Sequence, residues 1–553
     1  MSSSLVNEKR SDRGYVSRLL RALRPSHQHS AFSATLLLMA SVMLARVIGY
    51  LREMYVAWAF GAGPKTDAYV AAFQIPDYLF YLLAGGTTSI TFISIYTRHT
   101  SRGEEEKAQD AFNTTITVMT AIALLGTVLV ELFTPQIAAL IFPKFTAEQM
   151  ELCVYLTRVL LPGQIFFYAG GIVSAVLLSR QMFLYPALSP VLYGFSIILG
   201  GLIGAHRFGI AALAYGALVG SFVGPFLINS IAAAKTGLRY HWSFNIRNPE
   251  FREWVKLSIP LMLGVSLVSA DDWILRYFAS GGAGEISRLN YAKRLFALPI
   301  SILGQAAGQA SMPFFAKLFG EGRRREFAQS VNQSVYRVGS AALLVTPLLI
   351  TAALPLVDLA FHRGRFSFQD AVLTASYFAW FSLSLALWSA QALYARAFYA
   401  SGDTLTPMAA STLIVLASLP IYAAMFHRYG FTGLAMASGL GILLHTIAIA
   451  VLLNHRRLVS LGALPWDELA KVLVTAVVAG LLCYEVSRIW GSTGNWRSDV
   501  VSLAIIGAAW SAAVAIGLWM TRSRLWRDLR RKAPVAAPEP QPVVERTEGG
   551  VQP

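Results

Sequence analysis

A chain of 553 residues that is 55% hydrophobic and 14% charged, with a mean hydropathy of +0.52, falls outside the ordinary soluble class, in which about a quarter of residues carry charge. The formal net charge of +16 would suit nucleic acid. Here, though, the basic residues gather in arms and alternate loops, as the positive-inside rule requires of a membrane protein, so nucleic acid is set aside as a partner.

The first thirty residues are polar and basic with no apolar core near Met1. No cleavable signal peptide is expected, and the first helix serves as the membrane signal. Apolar runs long enough to cross a bilayer are placed at 33–60, 67–97, 112–142, 151–178, 186–205, 210–234, 253–280 and 287–317. Six more lie at 333–361, 371–400, 407–426, 430–453, 467–490 and 499–520. The reading is an all-α polytopic membrane protein of about fourteen transmembrane helices. Every second loop is basic, through Arg98 and Arg102, Arg180, Lys235 to Arg252, Lys317 to Arg325, Arg396, and Arg456 with Arg457. That pattern places both termini in the cytoplasm, with the loop His362-Arg363-Gly364-Arg365 as an exception.

The chain divides into a basic arm (1–32), six spans (33–236), a cytoplasmic linker (237–252), six spans (253–455), two C-terminal spans (456–522) and a basic, then Pro-rich tail (523–553) whose composition is that of disorder. A weak echo links 177–190 with 398–411, each a polar break with a proline ahead of a new span. Repeats of this kind are common in transporters, which handle substrate between the halves.

Charges inside the spans mark the candidate site, because a charge at bilayer depth costs roughly 2.5–3.5 kcal/mol on insertion scales and tends to face a wet cavity. In the first span Arg46, Gly49 and Glu53 share a face, with Arg52 about 120° away. Two arginines against one carboxylate leave positive charge for an anionic ligand; the plainer reading is an internal ion pair made by Glu53. Asp67 opens the second span, as a helix cap or as a functional carboxylate. FGAGPKTD (60–67) fails as a phosphate-binding loop, since Pro64 replaces the glycine before the lysine and a helix precedes it. In the eighth span Arg294, Ser301, Gln305 and Gln309 fall on one side of an ideal helix, with Gly304 and Gly308 as a packing pair and Pro299 as a hinge. Asp271 and Asp272 lie inside the seventh span. An Asp272–Arg276 pair would leave Asp271 as a candidate proton or cation site.

Cys153 and Cys483 give neither a disulfide framework nor metal spacing. The histidines are scattered, and neither HExxH nor GxSxG is present. Short loops leave no room for a catalytic domain. The expectation is transport, not an enzyme, with no cofactor and no metal.

The segments ARVIGYLREMYVAWAFGAGPKTDAYVAAFQIPD, NYAKRLFALPISILGQAAGQASMPFF, FHRGRFSFQD and AFYASGDTLTP, in that order, resemble the MurJ (MviN) family of lipid II flippases within the multidrug/oligosaccharidyl-lipid/polysaccharide exporter superfamily, over residues 33–455. The resemblance implies two six-helix lobes around a cationic cavity, two C-terminal helices forming a groove for the lipid tail, and a bacterial inner-membrane location. By motif position Arg46, Arg52, Asp67 and Arg294 match functional residues of the family. The resemblance implies that these arginines bind the pyrophosphate of undecaprenyl-linked peptidoglycan precursor, with cell-wall synthesis proteins as further partners. Phe80 and Tyr81 stand where the family has arginines, Gly85 where it has glutamate, and Lys293 where it has an acidic residue. Two alternatives stay open: a flippase for another polyprenyl-linked oligosaccharide, and a non-transporting scaffold for envelope synthesis.

Overall fold

The computed structural model of the chain describes residues 31–84, 88–262, 267–491 and 494–526. Most of the basic arm, most of the tail, and Gly85 lie outside the described residues.

Among the described residues the fold is helical and contains no strand, as expected where a bilayer leaves no water to satisfy backbone groups. The helices in the first half are α1 (Ala31–Phe60), α2 (Pro64–Ala72), α3 (Gln74–Ala84), α4 (Thr88–Ser101), α5 (Glu105–Ile141), α6 (Ala147–Leu160), α7 (Gly163–Ser179), α8 (Leu184–Phe208), α9 (Ala211–Ser221) and α10 (Asn229–Lys235). Those of the second half are α11 (Pro249–Met262), α12 (Leu267–Ala279), α13 (Glu285–Pro299), α14 (Ala307–Gly320), α15 (Arg324–Thr351), α16 (Ala353–Phe361), α17 (Phe368–Ser382), α18 (Leu385–Ala400) and α19 (Leu405–His455). Helices α20 (Trp466–Ile489) and α21 (Trp496–Met520) close the described chain.

Length and apolarity alone mark eight membrane-crossing helices among the described residues: α5, α6 with α7, α8, α9 with α10, α15, α19, α20 and α21. The pair α17–α18, bent by 45°, makes a ninth. A straight helix of the 51 residues of α19 would run about 77 Å, more than twice a hydrocarbon core of about 30 Å. Gly430 resolves this, since its φ of 61° and ψ of −142° break the helix into two passes. Fourteen spans therefore remains a sequence expectation. Helices α1, α2–α4, α11–α12 and α13–α14 carry the charges and interruptions that keep them below a purely apolar standard.

Interruptions have local causes. Pro225 sits in the wide π-helical turn Phe222–Ile228 that joins α9 to α10. Pro299 ends α13, and the π-helical turn Ile300–Ala306 follows it directly. Proline has no N–H to give, so the regular ladder opens there. The two stretches of the sequence echo fall at matching turns, between α7 and α8 and between α18 and α19, each closed by a residue at positive φ: Gln181 and Gly402.

The two lobes meet at one end of the molecule. Val56, Ala57 and Tyr69 from the first half share a buried core with Ile286, Tyr291, Phe361 and Phe366 from the second. The Tyr291 ring stacks 5.1 Å from Phe361, and its hydroxyl donates to the Gly61 carbonyl. The basic exception 362–365 belongs to this seam: Arg365 N–H donates to Trp58 O at 2.9 Å. A Cβ at Gly364 would stand 2.2 Å from that carbonyl oxygen, so only glycine fits. At the other end, α11 packs on α3, α4 and α5 of the first half, while α12 packs on α19. The C-terminal pair packs on α15 and α16, pinned by Trp510 Nε1–H to Leu344 O (2.7 Å) and by buried Glu468, which accepts from Ser523 and the Arg524 N–H.

A candidate substrate site between the lobes

Glu53 is the centre of the site. It is buried on α1, and its Oε1 accepts from Arg52 Nη2 at 2.7 Å and lies 3.8 Å from Arg294 Nε on α13. Its Oε2 accepts from Asn290 Nδ2 at 3.3 Å. About two turns back along α1, Arg46 Nη2 donates to Gln305 Oε1 at 3.1 Å. Two guanidinium groups, one from each lobe, thus meet at Glu53, with Arg46 farther along α1 on Gln305, and the Arg294 side chain is 53% exposed. The internal-pair reading describes Arg52, which is mostly buried against Glu53. Arg46 and Arg294 keep donors turned to the cavity.

Of the eighth-span residues, Arg294, Gln305 and Gln309 are exposed and Ser301 is partly so. The π-helical turn departs from the ideal spacing that defined this stripe, yet Gln305 still reaches Arg46 across the lobes. Asn290 was missed in the sequence. It lies four residues before Arg294 and so shares its face, a signal that was available.

Asp67 lies elsewhere and does something else. It is fully buried, and neither it nor Thr66 caps its own helix, whose N-cap is Gly63. Its carboxylate instead accepts from the N–H of Gly284 (2.5 Å) and from the N–H (2.8 Å) and hydroxyl (2.6 Å) of Ser287. Asp67 therefore caps α13 across the lobe boundary, where Gly284 at φ 82° supplies no side-chain cap, and its negative charge meets the positive end of that helix. The structure brings Asp67 to the inter-lobe seam and not into contact with Arg46, Arg52 or Arg294.

Asp271 and Asp272 form a second cluster, and the expectation of a lone Asp271 is corrected. Lys293 Nζ bridges both carboxylates. Asp271, 3% exposed, also accepts from the Tyr422 hydroxyl and from Ser438 Oγ at 3.0 Å. Lys293, which the family resemblance marks as a departure, therefore supplies a tethered cation at the place where a proton or metal cation was sought. Tyr422 and Ser438 carry no sequence signal, since α19 brings them in from 150 residues away or more. Arg288 also escaped notice; it binds Glu285 (2.6 Å) and Asp370 (2.9 Å) within the second lobe.

Phe80 and Tyr81, in the positions expected to hold arginine, join an aromatic wall. Phe80 packs on Phe167 and Tyr168. Tyr78 and Tyr81 meet Trp273 of α12 edge to face, at centroid distances of 4.3 and 5.8 Å. No cluster of three metal-ligating side chains occurs among the described residues.

A two-lobed helical membrane fold with a cation-rich cleft between its halves defines a transporter of the exporter type. Comparison with known proteins agrees. The chain is similar to the inward-facing structure of a multidrug-resistance MATE family transporter of the MOP superfamily, with a TM-score of 0.61 and 16% identity, covering 76% of this chain and 98% of that one. The likeness is greater to a solved structure of lipid II flippase MurJ in an inward closed conformation, with a TM-score of 0.74 and 20% identity over 90% of this chain and 100% of that one. In sequence it is 26% identical, over 521 residues, to a probable lipid II flippase MurJ of Rhizobium tropici, covering 90% of this chain and 96% of that relative. The family model described as lipid II flippase MurJ matches residues 56–503. The chain belongs to the MurJ lipid II flippase family.

Proposed function

We propose that this chain translocates lipid II, an undecaprenyl-pyrophosphate-linked peptidoglycan precursor, across the bacterial inner membrane, by transport and not by catalysis. The observation that carries the reading is the gathering of guanidinium groups at the lobe boundary, where Arg52 and Arg294 meet at Glu53 and Arg46 reaches Gln305 of the other lobe. A pyrophosphate is a dense anion, and the planar fork of arginine suits its oxygens. Each such charge-assisted bond contributes about 1.5–3 kcal/mol. Because the guanidiniums come from both lobes, a bound headgroup draws the lobes together, and release on the far side requires them to rock about it, which is alternating access. Gln305 and Gln309 offer neutral donors beside the anion, and membrane lipid receives the polyprenyl tail. Enzymes of cell-wall synthesis supply and consume such a cargo on opposite faces.

The test is complementation of a bacterium depleted of its own lipid II flippase, with Arg46→Ala, Arg294→Ala and Arg294→Lys alongside. Rescue by the parent chain, failure of both alanine variants at equal membrane levels, and partial rescue by Arg294→Lys are expected. If both alanine variants rescue fully, these arginines are not the transport site.

A second reading, a flippase for another polyprenyl-linked oligosaccharide, is favoured by one observation. The wall at Phe80, Tyr81 and Trp273 is aromatic where the family resemblance leads one to expect cations. A parent chain that inserts normally but fails to rescue would favour it.

A further inference from the structure

We infer that the extended segment between α10 and α11 is an interfacial anchor that binds the anionic surface of the cytoplasmic leaflet, with Arg239 and Arg247 as its headgroup ligands. Residues 238–245 form no helix, and their side chains alternate. Tyr240, Trp242, Phe244 and Ile246 are 51%, 74%, 52% and 59% exposed, with Arg239, His241, Ser243, Asn245 and Arg247 between and beside them. Alternation of this kind is the mark of an extended strand with two unlike faces.

The backbone edge of the segment is fastened to α5. His241 N–H donates to Asn113 Oδ1 at 3.1 Å, Ser243 Oγ lies 3.1 Å from Thr114 Oγ1, and the Tyr240 hydroxyl lies 3.0 Å from Thr117 Oγ1. Gln109 donates to the Arg239 carbonyl. These bonds give partners to Gln109, Asn113, Thr114 and Thr117 in the N-terminal part of α5. They also leave Trp242, Phe244 and Ile246 exposed, with the Trp242 and Phe244 rings 5.9 Å apart, while the Tyr240 hydroxyl turns back to α5.

The level of the segment identifies what covers those side chains. Five residues beyond Thr117, about 7.5 Å along the helix, α5 begins its exposed apolar surface with Ile122, Leu124, Leu125, Val128 and Leu129. The aromatic row therefore stands at the edge of the lipid-facing surface, on the face the loop charges assign to the cytoplasm. Tryptophan and tyrosine are enriched at that boundary. Exposed cations flank the row: Lys235, Arg239, Arg247 and Arg252. The acidic residues nearby, Glu105, Glu106 and Asp110, sit on α5 around a cavity that His241, Trp242 and Ser243 also line. An apolar row edged by cations matches an anionic headgroup layer, because juxtamembrane Lys and Arg are drawn to it.

The experiment places single cysteines at 240, 242, 244 and 246, and at 241, 243 and 245, labels them with an environment-sensitive fluorophore, and reads them in the full chain reconstituted in nanodiscs. Cys153 and Cys483 are fully buried, so the parent chain serves as the unlabelled control. Even-numbered labels should be quenched by nitroxide lipids and odd-numbered ones by an aqueous quencher. Aqueous quenching at every position, or no alternation, overturns the anchor. Protection of the even positions in detergent without lipid shows a protein contact instead and also overturns it. With the label at 242, phosphatidylglycerol titrated into neutral micelles should shift the signal. Arg239→Gln with Arg247→Gln should raise the midpoint about thirtyfold, the equivalent of ~1 kcal/mol per cation near an anionic surface. An unchanged midpoint, or an equal response to phosphatidylcholine, overturns the anionic-lipid assignment.

Discussion

Two clusters of charge lie at bilayer depth in this molecule, and they are built in opposite ways. At the lobe boundary one carboxylate, Glu53, meets Arg52 and Arg294, with Arg46 about two turns back along α1 on Gln305, and Arg294 is half exposed. Inside the second lobe two carboxylates, Asp271 and Asp272, close on one Lys293, with a tyrosine and a serine satisfying the remaining oxygens of Asp271. The first has charge to spare and straddles a surface that must open. The second lies within one lobe, with Asp271 buried and the Asp272 side chain 45% exposed. A ligand is drawn to charge that the protein has left uncompensated, which favours the first cluster as the proposed site, while Lys293, Tyr422 and Ser438 tie α12, α13 and α19 together at the second.

Removing the lone counter-charge from each cluster sharpens this contrast. Lys293→Met strands buried Asp271 among apolar neighbours, and breaking a buried pair costs about 3–5 kcal/mol. Thermal unfolding in detergent should show a large drop in midpoint. Adding Asp271→Asn should recover much of the loss, because the replacement keeps the Tyr422 and Ser438 contacts without the charge. An unaltered midpoint in Lys293→Met would show that the cluster is hydrated, not sealed, and would reopen Asp271 as an ion site.

Asp67 comes next. Its bonds to Gly284 and Ser287 hold one lobe to the other, and hydrogen bonds to a charged group contribute about 1.5–3 kcal/mol. Asp67→Asn should loosen that seam, increasing labelling of a cysteine placed at Ser287 while leaving the Lys293 cluster intact. Unchanged labelling would mean that the aromatic packing of Tyr291, Phe361 and Phe366 alone closes the seam. The matching change at the first cluster, Glu53→Gln, should be milder, about 1–2 kcal/mol, because exposed Arg294 can turn to water. Its stability loss falling well short of that for Lys293→Met is the result that keeps the two clusters distinct.

The fold class was legible in the sequence because apolar length and alternate basic loops are direct consequences of bilayer thickness and topology. The cationic face of α1 was legible for a similar reason: a charge in an apolar run has few places to go. Asp67 was visible as an unusual carboxylate, but its partners lie more than 200 residues away, and no local pattern encodes a cap supplied by another lobe. Asp271 was misread because helical spacing offered Arg276 as its neighbour's partner, whereas the packing of α12 against α13 delivers Lys293. Spacing reports only what one helix can do with itself. The count of fourteen spans stays an expectation of the sequence, since length and apolarity alone pass over the helices in which charges and breaks concentrate.

The smallest expected effect lies outside the membrane. In the loop between α18 and α19, burial alone would raise the carboxyl of Asp403. The Thr406 N–H (3.0 Å) and the Arg456 guanidinium outweigh it and hold the group below the ordinary aspartate range. A depressed carboxylate stabilises the fold above its unfolded-state value and loses that contribution as pH falls through the folded one. The contribution is therefore present at neutral pH and fades in the acid range below about 4. Since the Arg456 side chain is 48% exposed, solvent screens the pair, and about 0.2–1 kcal/mol is the proper scale. Asp403→Asn should lower the unfolding midpoint slightly at pH 7 and by less near pH 3. The same small loss at both values would assign the stabilisation to the Thr406 bond, which an amide oxygen can accept equally well, and not to charge.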